Sequence, residues 1–193
     1  MSTIQKVNRR DFVKLFGLAS SGIILGCSLS SDRKDFIPQV EGSFTPNLFV
    51  QIDTDGKVTL IASRSEMGQG IRTSLASAIA DELEADWEYV SVKQAIGHEK
   101  YGNQNTDGSR SVRTRLEPMR KMGAAAKMML LQAAADQWKV SVKECKAENH
   151  YVLHEASQKK LFFGDLVDAA SKLPIPKDAD IQLKKVDDFK YIG

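Results

Sequence analysis

Apolar residues at Ile71, Leu75, Ile79 and Leu83 recur every fourth position, the spacing of one helix face. The pattern predicts a helix over residues 72–85. Upstream the period changes. Residues 48–52 and 57–63 are short β-type runs around Thr54-Asp55-Gly56, and Asp-Gly between apolar alternations is a strong hairpin signal. The turn itself is read as structural only. Residues 89–95, with Val90 and Val92 on one side, predict another strand. Residues 101–111 are polar throughout and have no period, as in a loop. Glu117-Pro118 then puts a proline where a first helical residue belongs. A second helix is predicted from there to about Trp138, carrying the small residues Gly123, Ala124, Ala125, Ala126, Ala133, Ala134 and Ala135. Its methionines (Met119, Met122, Met128 and Met129) read as core filler. The tail predicts strands near 145–149, 151–154 and 161–163, then a short helix over 164–171 with Asp165 in its first turn. Pro174 and Pro176 end it, and 181–184 predicts a final strand. The sum is an α+β fold: a small mixed or antiparallel sheet with two main helices packed on it.

Composition changes this picture little. The chain has 193 residues, 42% hydrophobic and 27% charged, which fits one domain, or one domain plus a leader, with enough length to bury a core. A net charge of +2 does not point to nucleic acid. Two cysteines, Cys27 and Cys145, make no disulfide framework and no Cys-x-x-Cys pair, and Cys145 reads as a plain thiol. His150 and His154 have helical spacing, but the residues between them read as strand. Both are therefore expected at the surface rather than on a metal.

Candidate chemistry concentrates in two stretches. The first is Glu66-Met67-Gly68-Gln69-Gly70, a turn between a predicted strand and a predicted helix. Its glycines let a ligand approach the backbone, and the helix behind it offers free N–H groups and a partial positive charge. That suits an anionic or acceptor-rich group such as a phosphate or a pterin edge; the plain alternative is a tight turn with no ligand. The second is the polar loop up to Gly108-Ser109-Arg110-Ser111. Arg110, Arg113, Arg115, Arg120 and Lys121 follow closely, and arginine forks suit phosphate, although such a cluster is more commonly a solvated face.

The N-terminus carries a different signal. Asn8-Arg9-Arg10-Asp11-Phe12-Val13-Lys14 resembles the twin-arginine export motif, with Arg9 and Arg10 as its pair. The apolar run of residues 15–26 is too short for an ordinary membrane span and fits a signal segment. Ile24-Leu25-Gly26-Cys27 is similar to a loose lipobox, which makes Cys27 a candidate lipid anchor, with plain cleavage as the alternative. The expected organisation is a signal segment over 1–27, a linker over 28–45 and the folded part over 46–193. Membrane contact is expected only through the leader or a lipid.

The motifs taken together resemble a family. Glu66-Met67-Gly68-Gln69-Gly70, Thr73 and Ala80-Asp81-Glu82-Leu83 are similar to the molybdopterin-binding large subunits of the xanthine oxidase/dehydrogenase family. Gly108-Ser109-Arg110-Ser111-Val112, then Gly123-Ala124-Ala125-Ala126, Ala133-Ala134-Ala135 and Trp138, are similar to its isoquinoline 1-oxidoreductase beta-subunit branch. Phe163-Gly164-Asp165-Leu166 and the ending Asp188-Phe189-Lys190-Tyr191-Ile192-Gly193 fit the same branch.

The resemblance implies cofactor contacts at Gly68, Gln69 and Gly70 and at Gly108, Ser109, Arg110 and Ser111. The cofactor implied is Mo-molybdopterin, with the cytosine dinucleotide as a candidate form. Its own dithiolene holds the metal, so no protein metal ligand and no catalytic residue is expected in this chain. Implied partners are a small iron–sulfur subunit that carries the clusters, the remainder of the molybdopterin-binding subunit, and the twin-arginine export machinery. The family's base, a glutamate near the far end of the subunit, has no counterpart here. The chain is therefore expected to be the front piece of a periplasmic molybdenum hydroxylase that oxidises an aldehyde or N-heteroaromatic carbon with water. The 193 residues alone are expected to be inactive. A non-catalytic exported lipoprotein or interaction domain, an inactive gene fragment and a small phosphate- or nucleotide-binding protein remain as alternatives.

Overall fold

The computed structural model describes residues 42–192; the leader with Arg9, Arg10 and Cys27 lies outside them. Strands β1 (Ser43–Asn47), β2 (Val50–Asp53), β3 (Val58–Ala62) and β4 (Val90–Gln94) form one sheet in that order. β1–β2 and β2–β3 are antiparallel, while β3–β4 is parallel, joined by helix α1 (Ile71–Leu83). A parallel neighbour cannot be reached by a tight turn, so the α1 crossover is required by the pairing. A second sheet, β5 (Cys145–Glu148), β6 (Tyr151–His154) and β7 (Lys159–Phe162), is antiparallel and leads into helix α3 (Phe163–Ala170). Between the sheets runs α2 (Arg110–Trp138).

The expected α+β class is what the structure has, with the strands divided between two sheets. β1 carries the sheet back to Ser43, so residues 43–45, expected as linker, are paired strand. Pro46 has no N–H for a ladder, and the β1–β2 register shifts between Phe44 and Asn47. Such a strand is tolerated because β1 is an edge. The predicted face of α1 is buried as its spacing requires, from Ile71 through Leu83.

The second helix begins at Arg110, and Pro118 lies inside it rather than at its start. Proline deprives the Thr114 carbonyl of its donor there. Thr114 is exposed, so the carbonyl is not left in the core. The small residues Gly123 to Ala126 are all buried, and Gly123 sits where a Cβ would overlap the Ile79 carbonyl of α1. The small-residue run is therefore the surface that lets two helix backbones touch.

The histidines are corrected most sharply. His150 and His154 are buried, not on the surface. His150 sits in the β5–β6 turn with its Nε2 2.8 Å from the Gly56 carbonyl, and its Nδ1 accepts from the Asp86 N–H at 3.1 Å. Only the neutral tautomer protonated at Nε2 satisfies both partners. Burial lowers its pKa in the same direction, with the Gly56 bond opposing. Phe162 and Phe163 flank the ring. A Cβ on Gly56 would strike Phe162, and one on Gly164 would strike the Thr54 carbonyl. The hairpin tip is structural, as expected, and it is also where the second sheet docks on the first. His154 lies 2.6 Å from the Ser157 hydroxyl and 3.1 Å from Glu144. Among the described residues no group of three or more His, Cys, Asp or Glu side chains could hold a metal ion, and no helix is long and apolar enough to cross a membrane. Cys145 is a free thiol whose pKa is raised, first by burial.

Residues 181–184 do not form the predicted strand. The Lys184 N–H goes instead to the Glu82 carboxylate, at 3.2 and 3.0 Å. Asp81 is fully buried, and its Oδ2 accepts the N–H groups of Lys190, Tyr191 and Ile192 at 3.0, 2.8 and 3.2 Å. The extended end of the chain is thus held by carboxylates on α1 rather than by a strand edge.

Candidate functional site

β3 feeds α1 through residues 63–70, so the glycine turn sits at the carboxyl end of a parallel strand. That end of an open sheet is where crossover folds leave room for ligands. Gly68 and Gly70 have φ of 95° and 80°, which side-chain-bearing residues rarely adopt, and a Cβ at either would meet nothing within 4 Å. The approach to the turn is open.

Its N–H groups are already engaged. Glu66 folds over the turn, and its carboxylate accepts from Gly68 at 2.7 Å, Gly70 at 3.0 Å and Arg72 at 3.0 Å. The expectation of free donors at the helix start is corrected: an internal carboxylate takes the place an anion would take. Gln69 is similarly folded back, with its Oε1 accepting from the Met67 N–H at 2.6 Å and its Nε2 donating to the Ser65 carbonyl at 2.9 Å.

Glu66 is held below the usual carboxylate range, chiefly by the Arg72 and then the Gly70 amide, against some desolvation. A lowered carboxylate pKa means the cap is present above the ordinary value and is lost as pH falls through the lowered one. Glu66→Ala is expected to speed hydrogen exchange selectively at the Gly68, Gly70 and Arg72 amides, read by NMR. Unchanged protection there would refute the cap.

The polar loop is bound to this turn rather than free in solvent. The Ser65 N–H donates to the Thr106 hydroxyl at 2.9 Å. Gln104 Nε2 donates to the carbonyls of Ser63 at 3.3 Å and Ile96 at 3.0 Å. From β4, Gln94 Nε2 donates to the carbonyls of Ala62 and Arg64. The two stretches singled out in the sequence therefore meet, through residues 63–65 and 103–106. Among the described residues no hydrogen bond joins Gly68, Gln69 or Gly70 directly to Gly108, Ser109, Arg110 or Ser111.

Gly108 and Ser109 both take left-handed φ, 51° and 54°, which swings the loop into α2. Ser109 stands at the helix cap, yet its hydroxyl makes no capping bond. Ser111 is buried in the first turn. Arg110 forks onto Asp107, with Nη2 2.6 and 2.9 Å from the two oxygens.

The residue that sequence reasoning missed is Arg64. It is 4% exposed, with Nη1 3.5 Å from the Asn103 side-chain oxygen. Its Nε and the neighbouring Ser63 hydroxyl are buried without a partner. Arg64, Asn103, Arg110, Thr114 and Arg115 line an open cleft of about 180 Å³. The available signal was a lone charge between the end of a strand and a glycine turn. An acceptor-rich, phosphate-bearing group fits the orphaned buried donors and the converging arginines, and the glycine turn contributes room rather than donors.

Comparison with known proteins agrees with these features. The molybdopterin cofactor-binding domain model matches residues 2–191. The chain is 32% identical over 171 residues to isoquinoline 1-oxidoreductase subunit beta of Brevundimonas diminuta, covering 84% of this chain and 22% of that one. It is 31% identical over 195 residues to a membrane-bound aldehyde dehydrogenase of Gluconacetobacter polyoxogenes, whose name carries pyrroloquinoline-quinone, covering 97% and 25%. The chain thus spans about a quarter of the length of these curated relatives. The fold is similar to that of Cu,Mo-CO dehydrogenase in its carbon monoxide reduced state, with a TM-score of 0.53 and 19% identity over 75% of this chain and 18% of that one. The chain belongs to the molybdopterin cofactor-binding domain family.

Proposed function

We propose that the chain forms one wall of the cofactor site in a molybdenum hydroxylase that oxidises an aldehyde or N-heteroaromatic carbon with water. What supports this most is the meeting of the glycine turn with the polar loop at the carboxyl end of β3, in a chain matched by the family model over residues 2–191. When bound, molybdopterin would supply two-electron redox chemistry at this site. The chain's own part is binding and orientation. Gly68 and Gly70 leave room for close approach, and the Gln69 amide, with one donor and one acceptor side, bonds a ligand only by turning outward from Met67 and Ser65. Ser109 keeps a hydroxyl uncommitted to its helix, and neutral groups of this kind bond a pterin without burying an unpaired charge. Substrate selection and the proton transfers fall to the remainder of the subunit, and the electrons leave through an iron–sulfur partner. The twin-arginine leader supports a periplasmic location, reached after folding and cofactor loading.

Affinity purification of the full chain from its native cells, followed by metal and pterin analysis, tests this. The expected assembly holds molybdenum, an oxidisable pterin and iron in a companion chain, whereas the chain expressed alone holds none of them. An assembly lacking molybdenum and pterin would overturn the reading. It would favour a second one, which the Glu66 cap supports: a domain that keeps the fold with no cofactor.

A further inference from the structure

We propose that Ser157 is an acyl-acceptor site, a serine activated by His154 and Glu144 that takes an acyl group from an activated ester. The site belongs to the second sheet and shares no residue with the arginine-lined cleft, so it stands apart from the molybdenum reading.

His154 closes β6, Ser157 lies in the β6–β7 connection, and Glu144 immediately precedes β5, the strand paired with β6. The pairing brings the three side chains into line. His154 Nε2 is 3.1 Å from Glu144 Oε2, and Nδ1 is 2.6 Å from the Ser157 hydroxyl. A carboxylate only accepts, so in the neutral ring Nε2 carries the proton. Nδ1 keeps its lone pair, and the serine O–H donates to it. Carboxylate, imidazole and hydroxyl in this order make a serine nucleophilic; the two ring nitrogens are exchanged relative to the hydrolase triad. The exposed Ser74 contrasts with it, because its hydroxyl donates to the Gly70 carbonyl, which cannot take a proton.

Burial divides the three as the chemistry requires. The His154 side chain is 7% exposed and lies against Trp138, with ring centroids 6.0 Å apart, which shields the base from water. Ser157 is exposed and open to an ester in solution. Lys159 stands opposite His154 in the β6–β7 register, and opposite residues share a face, so an ammonium is at hand for the oxygen that gains charge. Cys145 stands opposite His154 on β5 and is the competing nucleophile, but burial raises its pKa and keeps it a thiol. The step is an acyl transfer. Ser157 Oγ bonds to the carbonyl carbon as its proton passes to Nδ1, and Glu144 holds the ring as it becomes cationic. The ester C–O bond then breaks, and the departing oxygen takes the proton from Nδ1. An acyl-serine and an alcohol or phenol result, with no change of oxidation state.

Reaction of the purified full chain with p-nitrophenyl acetate, followed by peptide mapping, tests this. One acetyl ester is expected, on Ser157, with Ser74 unlabelled. His154→Gln is expected to slow its formation about a hundredfold, the low end for a general base. Glu144 is a positioning residue, and Glu144→Gln is expected to slow the reaction about tenfold, the worth of one charge-assisted bond. A slowed rate at an unmoved denaturation midpoint separates that role from a merely structural one. Equal labelling of Ser157 and Ser74, or preferential labelling of Cys145, overturns the site, and so does an unchanged rate in His154→Gln. NMR of the imidazole nitrogens in the wild type covers the case in which His154→Gln folds poorly. A proton on Nε2 and a bare Nδ1 are expected. A proton on Nδ1 would overturn the assignment, because such a ring cannot take one from serine.

Discussion

Asp81→Ala is expected to destabilise the chain by about 3–5 kcal/mol, the cost of breaking a buried charge pair. Asp81 is completely buried in α1. One of its oxygens accepts Lys184 Nζ at 2.8 Å, and the other accepts three successive backbone N–H groups, from Lys190, Tyr191 and Ile192. Removing the carboxylate strands a lysine whose side chain is 8% exposed, together with those amides. Lys184 keeps Glu84, at 2.6 Å, which places the loss at the lower part of the range. Asp81→Asn retains an acceptor for the amides and is expected to cost less. Chemical denaturation would measure both, and a loss below about 1 kcal/mol for Asp81→Ala, the worth of an exposed pair, would refute the clamp.

The same pair fixes a pH dependence. Burial is the largest influence on Asp81 and pushes its pKa up, but the Lys184 bond and the Tyr191 and Lys190 amides together outweigh it, so the net shift is downward. A lowered acid pKa stabilises above the unfolded value and is lost as pH falls through the folded one. Lys184 mirrors this. Burial pulls it down, while Asp81 and Glu84 raise it further, so its contribution is complete below the ordinary lysine value and fades above it. Release of the 184–192 segment is therefore expected first in acid, below about pH 4.

This clamp also bears on how much the sequence disclosed. Ala80-Asp81-Glu82-Leu83 and the Lys190-Tyr191-Ile192 ending were legible as two family motifs, but not as the two halves of one contact. Acidic residues on an amphipathic helix ordinarily face water, and nothing local marks Asp81 and Glu82 as buried. The α1 face, the Asp55-Gly56 hairpin and α3 were legible because period and turn chemistry are local. Asp165 even takes its expected place, accepting the Phe162 N–H at 3.2 Å. What failed was decided at a distance. Pro118 reads locally as a helix start, yet the helix runs through it because the packing of α2 on α1 outweighs one missing hydrogen bond. His150 reads as a surface residue until Gly56 and Asp86 arrive on either side of its ring. The candidate site divides in the same way. Its glycines and serines were visible from type and spacing. The Glu66 cap and the burial of Arg64 depend on how the turn folds onto the polar loop.

Gly123→Val tests the packing that underlies all of this, and it is expected to cost about 3 kcal/mol or more, the upper range for overpacking. A Cβ at Gly123 would overlap the Ile79 carbonyl and come within 3.1 Å of the Glu82 Cβ. The first obstacle is backbone, which has no rotamer to escape into, so the helices must separate. Gly123→Ala regains about 1 kcal/mol of helix propensity and should lose less, yet the overlap with the carbonyl remains and the sign stays unfavourable. Separation acts on named neighbours. Arg120 donates to Glu82 across the same interface at 2.7 Å, and the Asn47 amide reaches the Met122 carbonyl at 3.1 Å. Glu82 also holds the Lys184 N–H, so displacing it loosens the chain end that Asp81 clamps. The two lesions therefore share a partner and should not add: the Asp81→Ala, Gly123→Val double variant is expected to lose less than the sum of the two singles. Gly97→Ala, where a Cβ meets nothing within 4 Å, is the control and should leave the denaturation midpoint near that of the wild type. Full additivity would mean that α1 tolerates the wider spacing without disturbing its carboxylates, and the coupling of helix contact and chain end through α1 would then be wrong.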